Sequence, residues 1–291
     1  MAQDQGNVPP NPVVINRVVR KFLGIILVLA SAAAMAQAPD VEKINEGYAA
    51  LRTYPTVNVH IDMVDLYGQT LTPSSLDLTW GWDPTGKDAA VYLKGAESVD
   101  GNELTETVAD GSTLFNFNVI NHDAMSHEYG TAQTGSAYRM DLLQRLYSLS
   151  GRRGAYASRA LEEIFGSDEP AYVPWSTGEM TYVDANSDSF QDPLTDKVYE
   201  PSPTREFFAY ETTGHISRSI VFERDQLTLD DNTTQWIVSA IYVSKYDDTN
   251  PKLPNGFELV VEFDPVNSVP DPQEFVYVPP ARTEPSDASA G

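Results

Sequence analysis

Between residues 184 and 196 the sequence DANSDSFQDPLTD places Asp184, Asn186, Asp188, Asp192 and Asp196 in a spacing that resembles oxygen-ligand calcium loops. Oxygen-bearing side chains spaced this way let one short loop wrap a hard cation needing six to eight oxygen ligands, so calcium is the ion that suits them. The backbone carbonyl of Phe190 would take the place of the seventh-position ligand of such loops. Two positions break the pattern. Ser189 stands where the sharp turn asks for glycine, and Thr195 stands where a bidentate glutamate would close the site. A solvated acidic loop accounts for the same residues, and any calcium affinity is expected in the weak extracellular range, ~10⁻⁴ to 10⁻³ M.

The four histidines offer less. His122 and His127 flank a turn beside Asp123 and Glu128, but no third ligand follows at metal-binding spacing, so surface hairpin polarity explains them better. His60 and His215 stand singly on predicted strands and read as polar-face residues rather than bases. No G-x-S-x-G elbow, H-E-x-x-H pair or phosphate-cradling glycine loop occurs. Cysteine is absent, which removes disulfides, thiolate metal sites and a thiol nucleophile together. The chain is therefore not expected to be an enzyme or to require a cofactor, calcium being the one candidate ion.

The positions that carry side chains to any site follow from periodicity. Val41, Ile44, Tyr48 and Leu51 recur at helical spacing behind the N-cap residue Asp40, until Pro55 stops the run. The period then changes to two, with Val57, Val59, Ile61 and Met63 alternating with Asn58, His60 and Asp62. Alternating runs continue through Leu76–Trp82, Val91–Leu93, Leu104–Ala109 and Thr113–Val119, and Asp110-Gly111 marks a hairpin turn. This predicts an antiparallel meander over 57–131. Two amphipathic stripes follow, Tyr138–Leu149 and Ala157–Phe165, predicting a helical insertion near 136–166. A long Pro-, Asp- and Ser-rich connection is expected near 167–204, with short strands such as Met180–Val183. Strands resume at 206–212, 217–223, 235–246 and 257–263, and the tail 279–291 has a composition that cannot repay ordering.

With 41% hydrophobic residues the chain folds, and its formal charge of -23 makes nucleic acid an unfit partner. Arg17, Arg20 and Lys21 precede the apolar run Phe22–Ala34 and a small-x-small site ending at Ala36, the pattern of a cleavable secretory signal. The run is shorter than the ~20 residues that span a bilayer. Residues 1–36 are thus expected to be an N-terminal extension and signal peptide, and the location periplasmic or secreted.

The element order, read with INEGYAALRTYPTV (Ile44–Val57), VADGSTLFNFN (Val108–Asn118) and QEFVYVPPARTEP (Gln273–Pro285), resembles the outer-membrane lipoprotein carrier (LolA-like) superfamily of periplasmic lipid-binding proteins. The last stretch resembles the family's closing F-x-F-x-P-P segment. The likeness spans most of Asp40–Pro285. It implies an α+β fold over residues 37–278: a large curved antiparallel sheet, an unclosed half-barrel, whose apolar concave face is covered by helices. It also implies lipid or lipoprotein acyl chains held between them, in a carrier of envelope lipids. Such carriers have an Arg-Pro-x-x-x-Arg segment on an early strand, whereas WGWDPTGKDA (Trp80–Ala89) has no arginine, and the 167–204 stretch is longer than a carrier needs. The cavity residues expected are Ile61, Leu78, Trp80, Phe115 and Phe117 on the sheet and Leu142, Leu146 and Leu161 on the lid. A monomer is expected, with an envelope protein as a further partner. The competing expectation is a secreted structural or interaction module of the same fold, with a filled core and a calcium-stabilised acidic loop.

Overall fold

The structure, a computed structural model, describes residues 39–67, 70–81, 92–111, 113–128, 143, 151–166, 181–183, 185, 189–212, 214–229, 232–250, 252 and 254–278. The chain divides into two compact units, Met1–Glu42 and Lys43–Gly291. The described part of the first is the opening turn of helix α1 (Pro39–Leu51), and the sheet belongs to the second.

Within α1, Ile44, Tyr48 and Leu51 are fully buried, as their spacing predicts. Pro55 follows the helix, where its ring and missing N–H would break another turn. Strand β1 (Thr56–Tyr67) then buries Val57, Val59, Ile61 and Met63 on one face and turns Asn58, His60 and Asp62 to the other. The meander continues through β2 (Thr70–Gly81), β3 (Tyr92–Val99), β4 (Asn102–Asp110), β5 (Thr113–Asn118) and β6 (Asp123–Glu128), each antiparallel to the one before. The predicted Asp110-Gly111 turn closes β4 onto β5. Gly111 takes φ +92°, and the Asp110 carboxylate accepts from the Thr113 N–H at 2.8 Å.

Helix α2 (Gly151–Phe165) realises the second amphipathic stripe, with Ala160, Leu161, Ile164 and Phe165 wholly buried. Within the span of the first stripe Leu143 alone is described, helical and buried, and the stripe residues Tyr138, Leu142, Arg145, Leu146 and Leu149 lie outside the described residues. After α2 the chain enters the far edge of the sheet at β7 (Thr181–Val183). It then makes a small hairpin, β8 (Phe190–Gln191) with β9 (Val198–Tyr199), and returns inward through β10 (Arg205–Thr212), β11 (Ile216–Thr228), β12 (Thr234–Asp247) and β13 (Asn255–Val266). The result is one antiparallel eleven-stranded sheet in the order β6-β5-β4-β3-β2-β1-β13-β12-β11-β10-β7. Its edges, β6 and β7, do not meet, so the sheet is open and the α+β expectation holds. The right-handed twist of β-structure curves a sheet this wide.

Register assigns every side chain to a face. Residues opposite one another share a face, so the chain of partners Val57, Trp80, Leu93, Ala109 and Leu114 defines the helix-covered side. There the Trp80 ring stacks on Phe165 at 5.2 Å, and the Tyr48 hydroxyl donates to Glu163 at 3.0 Å, joining the two helices. At the other end of α1, Lys43 pairs with Glu206 at 3.0 Å and Glu206 with the buried Arg224 at 3.1 Å.

The same register corrects one expectation. Phe115 and Phe117 are opposite Val108 and Glu106, which places them on the second face, away from Ile61, Leu78 and Trp80. Both rows of β5 carry apolar side chains, Leu114 on one and the phenylalanines on the other, so alternation alone cannot choose the inward row. The phenylalanines are covered by the segment after β13. Tyr277 stacks on Phe115 at 5.0 Å, and Phe275, buried in a short 3-10 helix (Pro272–Phe275), lies 5.4 Å from the Tyr92 ring. The aromatic stretch matched to the family's closing segment is thus a strap across the second face at β3 to β5. On the other half of the sheet the β8–β9 hairpin covers this face, its Phe190 and Tyr199 packing on Phe207, Ala209 and Val221.

Two outcomes test this packing. A Cβ on Gly47 of α1 would stand 2.8 Å from the Val238 backbone nitrogen. Glycine to alanine inside a helix ordinarily gains about 1 kcal/mol. Here Gly47→Ala is expected to lose roughly 1–3 kcal/mol, seen as a lower thermal midpoint; a raised midpoint would mean that α1 is not seated this closely. Phe275→Ala is expected to cost roughly 3 kcal/mol in denaturant titration and to raise binding of an apolar dye as the strap loosens. Unchanged stability would show the strap to be unanchored.

Candidate functional site

On the second face, between the strap and the hairpin, the sheet carries a hollow of about 640 Å³ lined by side chains of five strands. Two register rows make its floor. One runs Glu262, His60, Asp77, Ala96 and Glu106 across β13, β1, β2, β3 and β4; the next runs Asp264, Asn58, Thr79 and Lys94. Glu103 also lines it. A second hollow of about 310 Å³ continues along β1 and β2 past Asp62, Val64, Pro73, Ser75 and Ser98. Together they form a trough along β1 from Asn58 to Val64, roughly 20 Å at the rise of an extended strand.

Charge sets its chemistry. The lining holds Asp77, Glu103, Glu106, Glu262 and Asp264 against Lys94 and His60, so the trough is anionic. His60 is bound on both ring nitrogens: Nδ1 to Asp77, and Nε2 to Asp62 at 3.2 Å. Partial burial works against its charged form, but the hydrogen bond to Asp77, the charges of Asp62 and Asp77 and the hydrogen bond to Asp62 outweigh it and hold its pKa above the ordinary histidine value. Beside it the Thr79 hydroxyl donates to Asn58 Oδ1 at 3.1 Å. The arrangement can hold cations and hydrogen-bond donors.

The hairpin side is tied down by a second polar cluster. Lys197 Nζ sits 3.5 Å from the centre of the Tyr242 ring. Its pKa is lowered, first by burial, against the attraction of Glu223, Glu262 and Asp192. The Tyr242 hydroxyl donates to Glu223 at 2.6 Å, and Arg205 reaches the same carboxylate at 2.9 Å. Burial and the contact with Glu223 push the Tyr242 hydroxyl pKa up.

The sequence-predicted residues fall in three places. Ile61, Trp80 and Leu161 are 0% exposed and Leu78 is 2% exposed, all in the helix-side core, with Phe115 and Phe117 under the strap instead. Of the calcium loop, Asp184, Asn186 and Asp188 lie outside the described residues. Asp192 is buried and engaged by protein donors: Oδ1 accepts from the Leu194 N–H at 2.8 Å and Oδ2 from the Ser244 hydroxyl at 2.9 Å. Phe190 contributes its side chain to the hairpin core. Among the described residues, no group of three or more His, Asp or Glu side chains is placed to hold a metal ion. The trough itself was missed by sequence reasoning. The pair His60 and Asp62, two apart on one strand, announces a shared face, but Asp77 and Glu262 join them only through register.

No protein-family model matches the chain, and no curated protein matches it. Among solved structures it aligns with a DUF1329 family protein from Desulfovibrio piger, at 9% identity over 76% of this chain and 91% of that one, with a TM-score of 0.26. It also aligns with MucB in complex with MucA(peri), at 12% identity, 78% and 94% coverage and a TM-score of 0.12. The MucA/MucB complex of Pseudomonas aeruginosa gives 10% identity, 79% and 100% coverage and a TM-score of 0.11. Superpositions this loose at identities this low carry no argument about what the chain binds.

Proposed function

We propose that this chain is an exported binding protein that takes an extended, positively charged segment of a partner protein into the trough of its second face. Export rests on the signal-like segment Arg17–Ala36, and among the described residues no helix is long and apolar enough to cross a membrane. The observation that carries the binding site is the contrast between the two faces. On the helix side Ile61, Trp80, Leu161 and Phe165 are 0% exposed. On the other side a hollow of about 640 Å³ stays open above Asp77, Glu106 and Glu262. Pockets of 300–1,000 Å³ are the size that holds small ligands and short peptide segments. A trough of roughly 20 Å matches about six residues of extended chain, and its carboxylates favour lysine or arginine side chains.

A lipid reading keeps one specific support. The Trp80 Nε1–H is buried without an acceptor, and a bound carbonyl oxygen would satisfy it. Acyl chains could enter there only by lifting α2 from its stack on Trp80.

One experiment separates the two readings. Labelled hexapeptides alternating Lys with Ser, and Glu with Ser, are titrated into the protein at low and high salt, and the purified protein is extracted for lipid mass spectrometry. The lysine peptide is expected to bind, to weaken as salt screens the trough, and to lose roughly two- to fivefold in affinity in Glu262→Gln, the worth of an exposed ion pair. Equal binding of both peptides, or of neither, would sink the trough reading. Recovery of a stoichiometric lipid that Trp80→Phe releases would establish the other.

A further inference from the structure

We propose that His60 is a proton-operated strut on the trough floor, tying β1 to β2 while its ring is charged and freeing two carboxylates into the trough when it is not.

The geometry favours a charged ring. Only the imidazolium has two N–H donors; the neutral ring keeps one and turns a lone pair outward from the other nitrogen. Here each nitrogen faces a carboxylate, Asp77 across the strand pair and Asp62 two residues along the same strand. A neutral His60 would set a lone pair against one of them. The other groups facing it act in the same direction on balance. Glu262 is its register partner on β13, with Asp264 one pair along; Glu106 and Glu103 look in from β4, and Lys94 on β3 is the single opposing cation of the lining. The site is reachable by protons, since the His60 side chain is 41% exposed at the mouth of an open hollow.

The direction of the response follows. A histidine whose folded pKa is raised above its unfolded value contributes stability that is fully present below about pH 6.5 and is lost as pH rises through the folded pKa. On losing the proton, Asp62 and Asp77 keep their negative charge beside Glu262 with nothing between them. The trough becomes more anionic by one unit. A cationic ligand would then be held more tightly on the alkaline side, a step that rests on the trough reading, whereas the strut does not.

The test is run first on the full chain without ligand. The ring signals of His60, assigned by their loss in His60→Gln, are followed by NMR against pH, together with thermal midpoints of both proteins. The midpoint of His60 is expected above 6.5, and Asp62→Asn and Asp77→Asn should each move it down. The stability advantage of the wild type over His60→Gln is expected to be greatest below pH 6.5 and to vanish above the His60 midpoint. An ordinary midpoint that neither asparagine variant moves, or a stability difference that does not change with pH, would overturn the strut. The lysine hexapeptide is then titrated on both sides of the midpoint. Affinity that rises on the alkaline side in the wild type and stays flat in His60→Gln supports the linkage. A peptide that binds at no pH removes the trough reading and leaves the strut standing on the ligand-free measurements.

Discussion

Twelve residue pairs join β1 to β13, from Thr56 opposite Val266 to Tyr67 opposite Asn255, and both halves of the sheet hang from this seam. The two strands are the first and last of the sheet in sequence and its centre in space. A slip of one residue along the seam would exchange Val59 and Ile61 for His60 and Asp62. It would bury carboxylates under α1 and α2 and strip the trough of its charge. Core and polar face are thus fixed by one alignment, and neither can be altered alone. Pairing segments so far apart in sequence also carries a large loop-closure cost, which places this protein among slow-folding topologies. With no cysteine to shorten the search, the apolar row on the seam must supply the bias.

The two faces are built on different physics. The helix side is held by burial of large side chains and by a few charged ties, of which the Arg224 pair with Glu206 is the most enclosed. A buried pair of this kind adds little net stability over an apolar substitute, but it is costly to break from one side. It therefore fixes where α1 lies more than how firmly. Among the described residues the second face carries no α-helix and is closed at its flanks by two irregular pieces, strap and hairpin. Aromatic stacking anchors the first, and Lys197 on Tyr242 anchors the second. The central strands are left bare, and carboxylates are the residues that can stay there without inviting association through apolar contact.

Much of this could be read from the residues in order. The opening helix, the meander, α2 and the four returning strands follow from spacing, because each buries one stripe or one row. What spacing does not contain is the relation between rows on different strands. Phe115 and Phe117 look like partners of Trp80 until the ladder through Leu93, Ala109 and Leu114 puts them on the opposite side. His60 looks solitary until Asp77 arrives across the strand pair. Asp192 reads as a loop carboxylate, yet it is buried because its oxygens complete a tight turn and reach Ser244. In each case the missing term is a long-range pairing, and local sequence does not encode it.

The strap makes the face of the sheet depend on a segment that follows the last strand. Every strand of the sheet is complete by Val266, yet Tyr92, Phe115 and Phe117 stay uncovered until Phe275 and Tyr277 have been added. A chain stopping between Val266 and Phe275 would carry a finished sheet with an apolar patch on its surface, the kind of feature that drives aggregation. Such a patch is also what chaperones and proteases seize. The strap thereby separates chains that reach Tyr277 from chains that stop short of it, using nothing beyond the packing that holds it down.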